Sequence, residues 1–248
     1  MAGATTGFDR LASQYDELWT RTGIGRLQRE AVWRRIDRLF PSGGTILDLG
    51  CGTGEDALHF HQRGLQVRAI DASAEMVRIA QGRGIDADQL SIEDLNLLGG
   101  RFDGALSNFG ALNCVANLGS LRESLQRLIK PGAALAICTI GRACLWESIW
   151  YLLHADPRRA VRRWSGASES QSLGIRVHYF SVRELRRALE PDFELESWQG
   201  IGLFVPPSFV TGIPRPLLEL FAHLDRHMAH WPLLRALADH RLAIFRRK

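Results

Sequence analysis

The 248-residue chain contains no CxxC pair and no cysteine–histidine grouping with the spacing that holds zinc. Its four cysteines, Cys51, Cys114, Cys138 and Cys144, stand far apart, which argues against a disulfide framework and fits reduced thiols. No uninterrupted apolar stretch approaches the roughly 20 residues that a membrane-crossing helix needs. The first residues lack the basic start and apolar run of a secretion signal, so the expected address is cytoplasmic. An excess of charge of one sign is missing too: 31 basic residues face 27 acidic ones, a formal net charge of +4. The surplus gathers in short clusters, Arg158–Arg163 and Arg246–Lys248, and no broad basic face with interleaved aromatics is present. A nucleic-acid partner is therefore not expected. The Arg158–Arg163 cluster reads as a solvated helix face, with a site for an anionic group or acidic lipid surface as the alternative. Repeats and low-complexity linkers are also lacking, which favours one domain over 1–248.

What is present is the composition of an ordinary globular protein, 46% hydrophobic and 23% charged. The segment up to Phe40 has apolar residues near helical spacing and ends at the breaker Pro41–Gly44. Strand and helix then alternate. Strands are expected at Thr45–Leu49, Gln66–Asp71, Gln89–Ile92, Phe102–Asn108 and Ala133–Ile140. Helices are expected at Glu55–Gln62, from Ala74, and over Leu121–Lys130 behind a Ser120/Glu123 capping box. Such alternation implies a parallel sheet with helices on both faces and a ligand at the C-terminal strand edge. Beyond Gly141 the regularity fails. Leu145–Trp164 reads as a helix, Ser181 and Glu184 cap another to Leu189, Phe193–Gln199 and Arg241–Arg246 read as strands, and Leu203–Asp239 is helical or irregular.

The stretch Ile46-Leu47-Asp48-Leu49-Gly50-Cys51-Gly52-Thr53-Gly54 is an apolar strand running into a GxGxG turn with a helix to follow. Glycines at 50, 52 and 54 let a ligand lie against the main chain, and free amides at the helix start suit an anionic group. The GxGxxG spacing of dinucleotide enzymes is not met. Asp48, inside the strand, would be costly to bury without a partner. This stretch is similar to the first motif of class I S-adenosylmethionine-dependent methyltransferases. Phe8-Asp9-Arg10-Leu11-Ala12-Ser13-Gln14-Tyr15-Asp16 resembles the FDxxAxxYD opening of the small-molecule members. The resemblance covers roughly Phe8 to Ile140.

The resemblance implies a Rossmann-like, seven-stranded, mostly parallel α/β sheet with an antiparallel last strand and helical lid insertions. It divides the chain into an N-terminal lid (1–40), a cofactor core (41–141) and substrate-side insertions (142–180 and 203–239). The implied cofactor is S-adenosyl-L-methionine, with S-adenosyl-L-homocysteine as product. Asp48, Gly50, Cys51, Gly52 and Gly54 are placed around its methionine part. Asp71 is expected on the ribose hydroxyls and Ala72 beside the adenine, with Met76 on the next helix also at the cofactor. The position that many relatives fill with an acid for the adenine amino group falls here on Ser91. Ile92 would then supply an amide, and Glu93 or Asp94 stands near enough to substitute. Asn108 and Phe109 are expected at the methionine end, and Tyr15 against the donor beneath the lid.

Methyl transfer from a sulfonium needs alignment of the reactants and exclusion of water, and a base only where the acceptor must lose a proton. His178 is the first candidate base and His154 the second, each with a structural role as the alternative. Trp19, Asn113, Trp146, Trp150 and Phe204 are candidates to meet the acceptor; a buried structural asparagine is the alternative for Asn113, and the aromatics could equally be core. The expected partner is a small, hydrophobic or aromatic methyl acceptor modified at O, N or C, and no metal is implied. Methylation of RNA or protein, a non-catalytic binder of the donor, and a dinucleotide oxidoreductase are the competing readings.

Overall fold

The computed structural model describes residues 2–248, with side chains from residue 7 onward. Its centre is a seven-stranded sheet in the order β3-β2-β1-β4-β5-β9-β8. The strands are β1 Thr45–Leu49, β2 Gln66–Asp71, β3 Asp86–Gln89, β4 Phe102–Ser107, β5 Ile129–Ile140, β8 Phe193–Ile201 and β9 His240–Arg247. Strands β1 to β5 pair in parallel, and β9 runs antiparallel to both β5 and β8. The order reverses between β1 and β4, the switch point where open α/β sheets bind ligands. This is the architecture expected from the sequence.

Alternation along the strands makes two cores. Leu47, Leu49, Leu135, Ile137, Ala243 and Phe245 pack on one face, beneath α5 (Gly119–Leu128) and α8 (Val182–Leu189). Ile46, Ala134, Ala136, Cys138 and Leu242 pack on the other, beneath α2 (Gly23–Ile36), α3 (Glu55–Gln62) and α4 (Ala74–Gly82). Each strand therefore feeds both layers, as a fully covered sheet requires.

Several boundaries differ from expectation for identifiable reasons. The third strand is Asp86–Gln89, ahead of the expected Gln89–Ile92. Its acids Asp86 and Asp88 pair with Arg68 of β2, so an edge strand held by charge carried little apolar signal. Ile92–Leu97 is instead a short 3-10 helix whose Glu93 amide donates to Ser91 Oγ. The Ser120/Glu123 capping box is not formed. Helix α5 starts two residues earlier, at Gly119, and Ser120 Oγ donates to the Asn117 carbonyl. The box at Ser181/Glu184 is present in full.

The expected helix Leu145–Trp164 is broken in two. Helix α6 (Leu145–Leu153) ends before Ala155, which has a φ of 56°, and Asp156 then caps the short α7 (Pro157–Ala160). A hairpin not expected from the sequence pairs β6 (Ala167–Ser170) with β7 (Ile175–His178). Within 203–239 the main element is α9 (Arg215–Met228). The N-terminal segment is α1 (Ala2–Tyr15), a π-helical turn at Asp16–Thr20, and α2. Among the described residues no helix is long and apolar enough to cross a membrane.

Candidate active site

A cleft of about 840 Å³ opens at the C-terminal ends of β1, β2 and β4. Its floor is the turn Gly50–Thr53, and the β6–β7 hairpin contributes Leu173, Ile175 and Val177. Helix α1 reaches the hairpin at Gly7, where a Cβ would stand 2.0 Å from the Leu173 carbonyl oxygen. That contact admits only glycine, so lid and hairpin meet directly over the cleft.

The three glycines of the turn do three different things. All have positive φ: 74° at Gly50, 55° at Gly52 and 82° at Gly54. A Cβ on Gly50 would strike Ala111 Cβ at 2.3 Å, so this glycine admits the loop after β4. A Cβ on Gly54 would meet Ala80 Cβ at 2.9 Å, so this one lets α3 approach α4 and lies outside the cleft. At Gly52 nothing stands within 4 Å. Only there does the missing side chain leave ligand space.

Asp71, at the end of β2, faces the same cleft. Its Oδ2 accepts the Gly52 amide at 2.8 Å and its Oδ1 the Ser73 amide at 2.9 Å. Burial pushes this carboxyl up and the amide bonds oppose the shift. The N-terminal segment is fastened by the two aspartates of the opening motif. Asp9 accepts from Ser73 Oγ and from the Glu75 amide at 3.2 Å, at the start of α4. Asp16 accepts from Thr53 Oγ1 at 2.7 Å and pairs with Arg83. The motif suggested a lid, but that its acids are the fastening was not read from the sequence.

Beneath the turn, Asp48 is 1% exposed and its Oδ2 has no hydrogen-bond partner among the described residues. Burial drives its carboxyl well up, Asp56 adds to this, and Arg29 works against it. Arg29 is itself buried, pairs with Asp56, and lies over the rings of Trp19 (4.6 Å) and Phe109 (5.0 Å). Tyr15, Trp19, Phe109 and His240 follow one another along the wall with centroid separations of 6.1, 4.6 and 5.2 Å. Burial pushes the Tyr15 hydroxyl up to about 12, so it stays protonated. Burial also drives the Cys51 thiol far up, which makes it a poor nucleophile.

Of the cofactor positions named from the sequence, Tyr15, Gly50, Cys51, Gly52, Asp71, Ala72, Met76, Ile92, Glu93, Asp94, Asn108 and Phe109 all line the cleft. Asp48 and Gly54 do not. The acceptor candidates fare differently, since only Trp19 lines it. Asn113 is fully buried, donating to the carbonyls of Ile140 (3.2 Å) and His178 (2.5 Å) and accepting the Ile140 amide (2.8 Å). It ties β5 to the hairpin and has no face toward a substrate. Trp146 donates to the Phe204 carbonyl at 2.8 Å and packs near Phe221, while Phe204 belongs to a separate small core. Trp150 stacks on His154 at 4.5 Å.

His178 also falls outside the cleft. Its neighbour Val177 faces inward, and strand alternation turns His178 away to stack with Phe180 at 6.0 Å. His154 follows the end of α6, where its Nδ1 lies 2.8 Å from the Trp150 carbonyl. The cleft is completed by Phe209, one of the aromatics of the variable segments, by Arg162 and Arg163 of the arginine cluster, and by residues not named from the sequence: Pro207, Ser208, Glu147, Asp239 and His240. Arg162 and Arg163 were grouped with a solvated basic face. Both turn inward onto Glu147, at 2.7 and 2.5 Å, and Glu147 is only 2% exposed. Glutamate in an otherwise apolar helix was the available signal.

The family described as "Methyltransferase domain" matches residues 24–196. The chain belongs to the class I S-adenosylmethionine-dependent methyltransferases. It is 31% identical over 157 residues to a malonyl-acyl-carrier-protein O-methyltransferase of Pseudescherichia vulneris, covering 60% of each chain. It is 35% identical over 207 residues to a demethylmenaquinone methyltransferase of Corynebacterium urealyticum, covering 79% of this chain and 86% of that one. The chain thus spans about three fifths of the length of the Pseudescherichia vulneris relative. The fold is shared with an S-adenosylmethionine-dependent methyltransferase of Mesorhizobium loti, at a TM-score of 0.63 and 20% identity over 89% of this chain and 100% of that one.

Proposed function

We propose that this methyltransferase passes a methyl group from S-adenosylmethionine to a small apolar or aromatic acceptor at O, N or C. The observation that carries the reading is the ligand-sized space at Gly52, next to the Asp71 carboxylate, inside a cleft of about 840 Å³. The residues suit the cofactor chemically. Asp71 offers acceptor lone pairs for the ribose hydroxyls, and Asn108 Nδ2 and Asp48 Oδ2 are buried without partners at the methionine end.

Bound there, S-adenosylmethionine supplies an activated methyl carbon with a neutral leaving group. The chain's own part is to align and enclose. Asp9 and Asp16 hold the lid down, Tyr15 and Trp19 wall the donor, and the hairpin with Pro207–Phe209 closes an apolar chamber that excludes water. The segments 1–40, 142–180 and 203–239 all contribute to this chamber, which supports their reading as lid and substrate-side insertions. The curated relatives named above are, by name, methyltransferases of a malonyl-[acyl-carrier protein] and of demethylmenaquinone.

Calorimetry with S-adenosylhomocysteine tests the donor site, and micromolar binding with one-to-one stoichiometry is expected. Incubation with labelled S-adenosylmethionine and an extract of the source organism, followed by mass spectrometry, then identifies the acceptor. Absence of homocysteine-product binding overturns the reading.

A further inference from the structure

His240 opens β9 beside Ile140 of β5, and both residues line the cleft. The imidazole is 7% exposed and meets Phe109 edge-on at 5.2 Å, at the end of the aromatic wall. Its Nδ1 lies 3.3 Å from Asp239 Oδ2 and has no formed hydrogen bond among the described residues. Catalytic contacts of this kind commonly run long and tighten around the substrate.

Asp239 is fixed from the other side. Its Oδ1 accepts from Arg163 Nη2 at 2.9 Å, and its carbonyl accepts from Gly141 at 2.9 Å and Arg163 Nη1 at 3.2 Å. Arg163 is in turn held by Glu147. An ordered chain Glu147–Arg163–Asp239 therefore ends on an imidazole whose other nitrogen, Nε2, is left for the cleft.

We propose that His240, oriented by Asp239, is the general base of this enzyme, and that the acceptor is a weakly acidic hydroxyl compound, a phenol or enol, seated against Ile140, Val177 and Phe209. The inference rests on the methyl-transfer reading above. His240 Nε2 takes the hydroxyl proton as the oxygen lone pair bonds to the transferred methyl. The carbon–sulfur pair stays on sulfur, and the imidazolium is paired with the Asp239 carboxylate until it loses its proton to solvent. A hydroxyl is the acceptor that gains most from such a base, because it is a poor nucleophile until its proton leaves. A cationic amine would call for a free carboxylate, and both Glu147 and Asp239 are engaged by arginines.

The surrounding charges keep the base in its working form. Burial pulls the His240 pKa below the ordinary histidine range; Asp239 opposes this, while Arg163 and Arg241 add to it. The imidazole is thus neutral, and able to accept a proton, at pH 7.

The test uses the full chain and a matched pair of probes, 2-naphthol and 2-naphthalenethiol. The thiol ionises near neutrality unaided, so its methylation needs no base. In wild type both probes are expected to be methylated. His240→Gln should lose at least about 10²-fold in turnover of the naphthol and less than about threefold with the thiol. Calorimetric affinity for S-adenosylhomocysteine should be unchanged. Should that variant fail to fold, His240→Asn, equally unable to take the proton, is read on the same two probes with the same losses expected. Equal losses on both probes, or methylation of the thiol but not the naphthol by wild type, each overturn the proposal. So does absence of both products from a protein that binds S-adenosylhomocysteine. Only failure of that binding strikes the methyl-transfer reading itself.

Discussion

Gly52 and Gly54 share one turn, yet a side chain on the first would enter open cleft while one on the second would press within 2.9 Å of Ala80 Cβ. The sequence pattern gives them the same weight; the structure gives them separate jobs, one toward a ligand and one toward helix packing.

Substitutions at the two positions should therefore fail differently. Gly52→Val fills the space next to Asp71 and is expected to abolish S-adenosylhomocysteine binding; a side chain at a φ of 55° also costs about 1–3 kcal/mol of stability, so binding is measured on the folded fraction. Gly54→Ala is strained at a φ of 82° and crowds α4, so it should cost about 1–3 kcal/mol of stability while the folded fraction binds normally. Urea titration beside calorimetry separates the two effects. Unchanged affinity in Gly52→Val would remove the donor from this turn.

Asn113 makes the next case. It satisfies both backbone groups of Ile140 and the carbonyl of His178 from a fully buried position. Asn113→Leu strands those groups, with an expected loss of about 1–3 kcal/mol. Donor affinity should stay within about threefold. A variant of unchanged stability but impaired acceptor turnover would return Asn113 to the substrate wall.

These cases mark how far the sequence could be read. The sheet was legible because β1, β2, β4 and β5 carry apolar runs between turn signals, and the donor-side candidates were legible because the glycine turn and the ends of β2 and β4 follow one another in the order that the resemblance sets. The acceptor side was not. Its residues come from Glu147, Arg162–Arg163, Leu173–Val177, Pro207–Phe209 and Asp239–His240, segments that only the fold brings together. An inward arginine looks like an outward one in sequence, because its burial depends on a partner such as Glu147 sixteen residues away. Trp146, Trp150 and Phe204 were aromatic enough for a pocket and were used to pack the added helices instead.

The buried pair Arg29–Asp56 supports the aromatic wall from behind, with Trp33 Nε1 donating to Asp56 Oδ1 at 2.6 Å. Removing one partner leaves a charge buried and unpaired. Arg29→Met should destabilise by about 3–5 kcal/mol and also release Trp19 and Phe109. Adding Asp56→Asn removes the stranded charge and should recover part of that loss. A single variant within about 1 kcal/mol of wild type by chemical denaturation would show that the pair contributes little.

Asp225 on α9 binds the loop after β8 through the amides of Leu203 (3.1 Å), Phe204 (2.7 Å) and Val205 (3.2 Å). Burial nevertheless wins, raising its carboxyl from 3.8 to about 6. Because the folded value is raised, the folded state holds more protons than the unfolded chain between those limits. The contribution of Asp225 is therefore full below the unfolded value and fades as pH rises to about 6, by at most about 3 kcal/mol. Asp225→Asn cannot titrate, so the stability of wild type minus that of the variant should fall across this interval and level off above it. Denaturation at a series of pH values from 4 to 8 measures that difference. A difference that stays constant with pH would mean that Asp225 titrates alike in both states and that burial does not govern it.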